Sequence, residues 1–180
     1  MLLEAPVSEI QEPIGRFKGG FPGPGMPFRE GKATAVAPPP LVGQKQEIMP
    51  TRNHVPEGQT VQYNTTPPTS GDHWPRWANC GFYQQGLPDE LIVHNLEHGH
   101  IVVSYNLATL EQVNLLRAGF RESSFSREWG VARFYDKISA GTVVVTAWGG
   151  LDTMNGIDLE RIETFFKTYA GGLGPEKIPC

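Results

Sequence analysis

The chain has 180 residues, and its 15 lysines and arginines are mixed with 19 aspartates and glutamates, which gives a formal net charge of −4. This length is enough for one domain with a substantial core. The mixed charge excludes the basic stripe of a nucleic-acid-binding protein, and no run of 18 apolar residues offers a membrane span in this sequence.

Residues 1–50 are rich in proline and glycine, as in the stretches GGFPGPGMPF and AVAPPPLVG. Proline neither continues a helix nor donates a hydrogen bond in a central strand, and the few periodic apolar positions leave little surface to bury. Two interpretations stay open. The segment is a flexible or polyproline-like linker, or it is an extended arm that docks on its own domain or on a larger complex. The anchors of such an arm are Phe17, Phe21, Met26 and Phe28.

Residues 51–180 are predicted to form a single globular domain. A strand is predicted over Thr60–Asn64, where apolar and polar residues alternate, and the turn-dense loop TTPPTSGDHWPRW follows it. The stretch PDELIVHNLEHG predicts a short helix, because Pro88 suits a first turn and Gly99 suits a C-terminal cap. The apolar stretch HIVVSY then predicts a buried strand.

The second half of the domain continues with alternating elements. TLEQVNLLRAGF has apolar residues at helical spacing, and GVARFY and TVVVTAW read as strands. DLERIETFFKTYAGG predicts a final helix with Asp158 as its N-cap. The order β-α-β-α-β-β-α predicts an α/β or α+β fold, with a small mixed sheet flanked by about three helices.

The stretch VHNLEHGH contains three of the five histidines. If this stretch is helical, His94 and His98 are four residues apart and lie on one face. Two imidazoles at this spacing can reach a single zinc or copper ion. Glu97 lies close to the same face, and we expect its carboxylate to hold a ligating imidazole through the outer ring N–H.

Two further histidines precede this helix. His73 lies in the loop PPTSGDHW, whose prolines and glycine restrict the backbone, and His54 lies just before the first predicted strand. The predicted ligands of one copper or zinc ion are His73, His94 and His98, completed by His54 or solvent. Further potential donors are His100, Cys80 and Met154.

The string HNLEH also matches the H-x-x-E-H pattern of the inverted zincins. In that alternative the protein is a zinc hydrolase and Glu97 is the general base. A third, acidic ligand would then come from the last helix, from Glu160 or Glu163. A second alternative is a non-catalytic interaction subunit that docks through residues 1–50 into a larger complex, either in a membrane or outside one.

Cys80 and Cys180 are the two cysteines of the chain, and no CxxC motif is present. The pair fits either one disulfide or two unrelated thiols. A disulfide would tie the last residue to the middle of the domain, which is useful in an oxidising compartment.

The strings YNTTPPTSGDHWPRWANCGFY and LPDELIVHNLEHGHIVVSYNL, with TAWG and GPE further on, resemble an uncharacterised bacterial family of unknown function over about residues 52–176. The positions of this chain that match the family pattern, which includes PPTSG-x-H and H-x-LEHG, are His54, Pro67, Pro68, Ser70, Gly71, His73, Trp77, Gly81, Tyr83, His94, Leu96, Glu97, His98, Gly99, Trp148 and Gly149.

The resemblance implies an extracytoplasmic domain, often placed behind a single N-terminal membrane anchor, and it supports the grouping of His73, His94 and His98. His100 falls where the family varies, and the proline-rich front of this chain departs from the family pattern. We therefore expect an extracytoplasmic domain that binds one copper or zinc ion, with no membrane span in this chain and no nucleic-acid partner.

Overall fold

Six strands form one mixed sheet in the computed structural model, which describes residues 42–180. In chain order the strands are β1 (Gln44–Lys45), β2 (Gly81–Phe82), β3 (Ile101–Asn106), β4 (Gly130–Phe134), β5 (Thr142–Ala147) and β6 (Gly150–Asn155). Their order across the sheet is β1-β6-β5-β3-β4-β2. Strand β3 is central: it runs parallel to β4 and antiparallel to β5, with Val103 opposite Ala132 and Val145.

Four helices accompany the sheet within the same residues. They are α1 (Asp89–Glu97), α2 (Leu110–Glu122), α3 (Ser126–Trp129) and α4 (Leu159–Tyr169). Helix α2 begins with a capping box between Thr109 and Gln112. At the start of α4 the Asp158 side chain accepts a hydrogen bond from the Arg161 N–H, as the sequence predicts. The predicted fold class is confirmed, with a mixed sheet and four helices in an α+β arrangement.

The two faces of the sheet carry separate cores, because successive strand residues point to opposite sides. Val103 of β3 packs into the larger core, to which α2 contributes Leu116 and α4 contributes Phe165. Its neighbour Val102 packs into the smaller core, together with Leu96 of α1 and other side chains. Helix α1 therefore lies on the opposite face of the sheet from α2 and α4.

The stretch Thr60–Asn64 is not a strand, contrary to the prediction. Its Val61 N–H donates to the Glu90 carboxylate, and the Tyr63 side-chain hydroxyl donates to the Asp72 backbone carbonyl.

Strand β6 was not predicted, because Gly150–Asn155 lacks a β-branched apolar run. It pairs antiparallel with β5 across the turn at Gly149, whose φ of 68° suits glycine. The short strands β1 and β2 and the helix α3 were not predicted either. The observed element order departs from β-α-β-α-β-β-α at each of these elements.

The predicted arm can be followed in part. Residues 1–41, with the four proposed anchors, lie outside the described residues. Gln44 and Lys45, which the predicted boundary assigns to the arm, pair with β6 at the edge of the sheet. Within residues 42–180, every helix is too short or too polar to cross a membrane.

Cys80 and Cys180 form a disulfide, with their Cα atoms 5.8 Å apart, so the first of the two interpretations of the cysteines holds. The bond fixes the C-terminal tail, residues 171–180, against the end of α1. The Glu176 N–H donates to the Glu97 carbonyl, and the Ile178 N–H donates to the His98 carbonyl. The tail thus takes up two carbonyls that the helix end leaves without intrahelical partners.

Candidate metal centre

The C-terminal turn of α1 carries His94 and Glu97 and passes directly into His98. The helix ends there because Gly99 adopts a φ of 89°, which favours glycine. The spacing of four residues places the Nε2 atoms of His94 and His98 3.2 Å apart. All three side chains are buried, with exposed fractions between 2% and 4%.

The proline-rich loop places His73 over this turn. The backbones of His54 and His73 form a parallel bridge: the His73 N–H donates to the Asn53 carbonyl, and the Val55 N–H donates to the His73 carbonyl. Gly71 is required beside them, because a Cβ there would lie 2.7 Å from the Met49 sulfur at a φ of 125°. Two loop histidines are thereby fixed against each other and against the helix.

Four side chains converge on one point. Donor atoms of His54, His73, His94 and Glu97 all lie within 4.8 Å of one another. The imidazole centroids of His54, His73 and His94 are 4.8 to 5.0 Å apart. His54 is exposed and the other three are buried, so the group has one member at the surface.

Backbone carbonyls fix the tautomers of two imidazoles. His73 Nδ1 lies 2.9 Å from the Gly71 carbonyl oxygen, and His94 Nδ1 lies 2.6 Å from the Trp74 carbonyl oxygen. Because a carbonyl can only accept, Nδ1 carries a proton in each ring, and Nε2 is the atom that presents a lone pair when the ring is neutral. In both rings Nε2 is therefore the nitrogen that remains to bind an ion.

His73 Nε2 has no hydrogen-bond partner among the described residues, although it is buried. It lies 2.9 Å from Glu97 Oε2, but the two atoms do not meet in hydrogen-bonding geometry. The other carboxylate oxygen of Glu97 accepts from Arg52 Nη1 at 2.8 Å. A buried Nε2 beside a carboxylate oxygen is costly unless a proton or a metal ion links the two atoms.

The expected role of Glu97, which is to hold a ligating imidazole by its outer N–H, stays a prediction. The outer N–H groups of His73 and His94 donate to the carbonyls of Gly71 and Trp74, and the Glu97 carboxylate lies within 4.8 Å of the other donors of the group. Backbone carbonyls thus make the kind of hydrogen bond that orients a metal-binding histidine.

His98 lies beside this group. Its Nε2 is 3.2 Å from His94 Nε2 and 3.4 Å from Glu176 Oε2, and its buried Nδ1 has no hydrogen-bond partner among residues 42–180. Burial lowers the pKa of His94 to about 4 and also lowers the pKa of His98 below its ordinary value. Both rings are thus neutral at pH 7, which is the form that binds a metal.

The other potential donors are engaged elsewhere. Cys80 is in the disulfide, so its thiolate is not available. Met154 packs in the larger core, on the opposite face of the sheet from α1. His100 is fully buried between two partners: its Nδ1 accepts from the Asn95 amide, and its Nε2 donates to the Ile178 carbonyl.

The acidic third ligand of the inverted-zincin alternative does not reach the site. Glu160 and Glu163 belong to α4, which packs on the opposite face of the sheet from α1. The acid that does approach is Glu176 of the tail, and the cation that pairs with Glu97 is Arg52. Sequence reasoning missed both roles, because Glu176 and Arg52 are far from the VHNLEHGH stretch and carry no local pattern.

A cleft of about 410 Å³ leads from the surface to the group. Its walls include Arg52, His54, Glu97 and Glu176, so solvent and ions can approach from the side of the exposed imidazole. A donor set of imidazole nitrogens and a carboxylate oxygen, open on one side, suits a transition-metal ion such as zinc or copper.

Comparisons with known proteins agree with the resemblance in the sequence. Neither the curated proteins nor the solved structures contained a match to this chain. The model of the family described as Protein of unknown function (DUF3105) matches residues 54–180, a range that includes every member of the histidine group. The chain therefore belongs to this family of unknown function.

Proposed function

We propose that this domain binds one transition-metal ion, copper or zinc, in its histidine group. One observation carries the proposal: backbone carbonyls hold the Nδ1–H groups of His73 and His94, which leaves Nε2 of each ring to bind an ion, and the donor atoms of the group, with a Glu97 carboxylate oxygen among them, lie within 4.8 Å of one another. This is the arrangement by which proteins hold metal-binding imidazoles in place. A cation between these donors satisfies the buried Nε2 of His73, which otherwise lacks a partner among the described residues.

The proposed ligands are His73, His94 and Glu97, with His54 or His98 in the remaining position. Two donors on one ion at bond lengths near 2.1 Å are at most about 4.2 Å apart. The donor atoms of the four residues lie within 4.8 Å of one another, so they need to move together only slightly to bind the same ion. His98 is the alternative to His54, because its Nε2 is 3.2 Å from His94 Nε2. The edge of a tetrahedral site is about 3.4 Å at such bond lengths.

We place this function outside the cytoplasm. The disulfide between Cys80 and Cys180 supports this location, because such bonds persist in oxidising compartments and are rare in reducing ones. The hydrolase alternative is less well supported, because Glu97 pairs with Arg52 and lies among the donors, whereas a general base needs a carboxylate free to take a proton from water.

The test is the metal content of protein purified without an affinity tag, measured by mass spectrometry before and after loading with copper or zinc and dialysis. We expect about one equivalent of metal, lost in the double variant His73→Ala/His94→Ala. The metal content of Glu97→Gln is compared with that of Glu57→Gln, which makes the same change at an exposed glutamate that pairs with Arg76. If wild-type protein retains no ion after loading, or if the double variant retains it equally well, the proposal is wrong.

A further inference from the structure

A second cavity, of about 820 Å³, lies between the edge strand β2 and helices α2 and α3. Three arginines line it, and we call it the arginine cleft: Arg117 and Arg121 come from α2, and Arg127 comes from α3. Phe82 and Phe120 form its apolar wall. Both aromatic rings pack against the larger core, so the cleft opens on the other face of the sheet from the histidine group.

The three arginines differ from the other arginines of the described chain in their partners. Residues 42–180 contain seven arginines. Four of them pair with carboxylates, and these are Arg52, Arg76, Arg133 and Arg161. The three that remain all line the arginine cleft, and the side chain of none of them forms an ion pair or a hydrogen bond with another residue of 42–180.

The local charge of the arginine cleft is uncompensated. Arg117 and Arg121 are four residues apart and therefore lie on one face of α2, where like charges repel. Among the residues of 42–180 that line the cavity, none is an aspartate or a glutamate. Three positive charges thus face one cavity in a protein whose net charge is −4. A bound anion would relieve this repulsion and engage the free N–H donors.

Aromatic packing holds one guanidinium at the wall. The Cζ atom of Arg117 lies 5.1 Å from the centroid of the Phe82 ring, and Phe82 packs edge-on against Phe120 with the ring centroids 5.9 Å apart. A cation–π contact restrains the guanidinium without using its N–H groups, which remain free to bind an oxyanion in the fork geometry of arginine. The exposed amides of Gln84 and Gln85 extend the polar side of the cleft.

We propose that the arginine cleft binds a small organic polyanion, a molecule with at least two phosphate or carboxylate groups and an apolar portion. The guanidinium forks match the oxygens of phosphate and carboxylate groups, and the aromatic wall accommodates the apolar portion. The volume is that of a small-molecule site. A nucleic-acid chain is disfavoured, because the acidic remainder of the protein would repel its extended backbone.

Isothermal titration calorimetry on the full chain with its disulfide intact tests this proposal. Pyrophosphate and citrate are the probes, titrated at constant ionic strength, and acetate is the monovalent comparison. Because both probes chelate metals, each titration is repeated on His73→Ala/His94→Ala, which lacks the proposed metal site. We expect saturable 1:1 binding of at least one probe in both proteins, and the tighter probe identifies the oxyanion that the cleft prefers.

The arginine variants decide whether the heat comes from the cleft. Arg117→Gln, Arg121→Gln and Arg127→Gln should each weaken binding by about tenfold, since each removes charge-assisted hydrogen bonds. Arg76→Gln is the matched control, because Arg76 is exposed and lines no part of the cleft, and it should change the affinity less than twofold. Circular dichroism checks the fold, and the exposed Arg127 is the variant least able to disturb it.

Two outcomes would overturn the proposal. The first is the absence of saturable binding by both probes. The second is binding that survives in the triple variant Arg117→Gln/Arg121→Gln/Arg127→Gln or falls equally in Arg76→Gln, because the heat would then arise elsewhere on the protein.

Discussion

The carboxylate of Glu176 lies 3.4 Å from the Nε2 of His98, although the two residues belong to the C-terminal tail and to the end of α1. Burial lowers the pKa of His98, and the charge of Glu176 opposes this effect. We expect Glu176→Gln to lower the pKa of His98 further, because it removes an anion that favours the imidazolium form. An NMR pH titration of the metal-free protein measures the pKa of His98. A pKa that rises or stays unchanged would show that the carboxylate does not act on the ring.

Metal affinity should depend on the carboxylate of Glu97. Glu97→Gln keeps the shape of the side chain but removes the negative charge that faces His73 Nε2. We expect the dissociation constant for zinc or copper to rise by about 10- to 100-fold, the range seen when a group that supports a metal site is lost. Competition with a chromophoric chelator measures the constant. Glu57→Gln removes an exposed carboxylate and should leave the constant unchanged.

Acidification should destabilise the fold between pH 6.5 and pH 4. Burial lowers the pKa values of His94 and His100 to about 4, from an ordinary value of 6.5. Between these values the unfolded chain binds more protons than the folded one, so the free energy of unfolding falls as pH falls and levels off above 6.5. Each histidine contributes up to about 1.4 kcal/mol per pH unit within this window.

Urea unfolding of the metal-free protein at several pH values measures this dependence. A free energy of unfolding that is flat from pH 5 to 6.5 would show that the buried imidazoles are already charged in the folded protein.

Loss of the disulfide should cost the domain several kcal/mol. Cys80 and Cys180 are 100 residues apart in sequence, and a loop of that length corresponds to about 4.7 kcal/mol in the chain-entropy account. We expect Cys80→Ser/Cys180→Ser to lower the free energy of unfolding by an amount of this order. Denaturation of wild type with and without reductant is the companion measurement, since the sequence contains only these two cysteines. Equal stability with and without the bond would contradict the prediction.

A buried ion pair anchors the start of α1. Arg133 is fully buried and donates to Asp89 Oδ1 at 2.7 Å, while Tyr135 and Lys137 donate to Oδ2. Burial alone would raise the pKa of Asp89, but the charge of Arg133 and the hydrogen bonds of Lys137 and Arg133 hold it below its usual value. Asp89→Asn should cost about 3–5 kcal/mol, because it leaves a buried guanidinium without its counter-charge.

Chemical denaturation compares Asp89→Asn with Asp136→Asn, a change of the same kind at an exposed position nearby. A loss of stability as large in the control as in Asp89→Asn would mean that the effect does not come from the ion pair with Arg133.

Strong local patterns in the sequence were enough to predict much of this fold. Helix α4 follows from its apolar spacing and its Asp158 cap, and β3 and β5 follow from their apolar runs. Thr60–Asn64 alternates like a strand, but the Glu90 carboxylate accepts from the Val61 N–H, a group that a ladder would otherwise use. Strand β6 exists because β5 pairs with it, and such a tertiary cause leaves little trace in a local window.

The candidate site, like the fold, could be predicted where it depends on local patterns and not where it depends on tertiary structure. The spacing of His94 and His98 on a helix is local, and it placed two Nε2 atoms 3.2 Å apart. The bridge that sets His54 beside His73 and the carbonyls that orient the rings depend on the path of the loop. The sequence shows that Glu97 is the acid near the histidines, but backbone geometry decides which group reaches the outer ring nitrogen.

The hydrogen bonds between the tail and α1 couple two ends of the molecule. Helix ends ordinarily fray, because their last carbonyls face solvent. Here the carbonyls of Glu97 and His98 are covered by amides of Glu176 and Ile178, and the disulfide prevents that segment from diffusing away. Amide hydrogen exchange in the tail and in the last turn of α1 should therefore occur through one shared opening event. The histidine-bearing turn then stays folded only as long as the C-terminal tail stays bound to it.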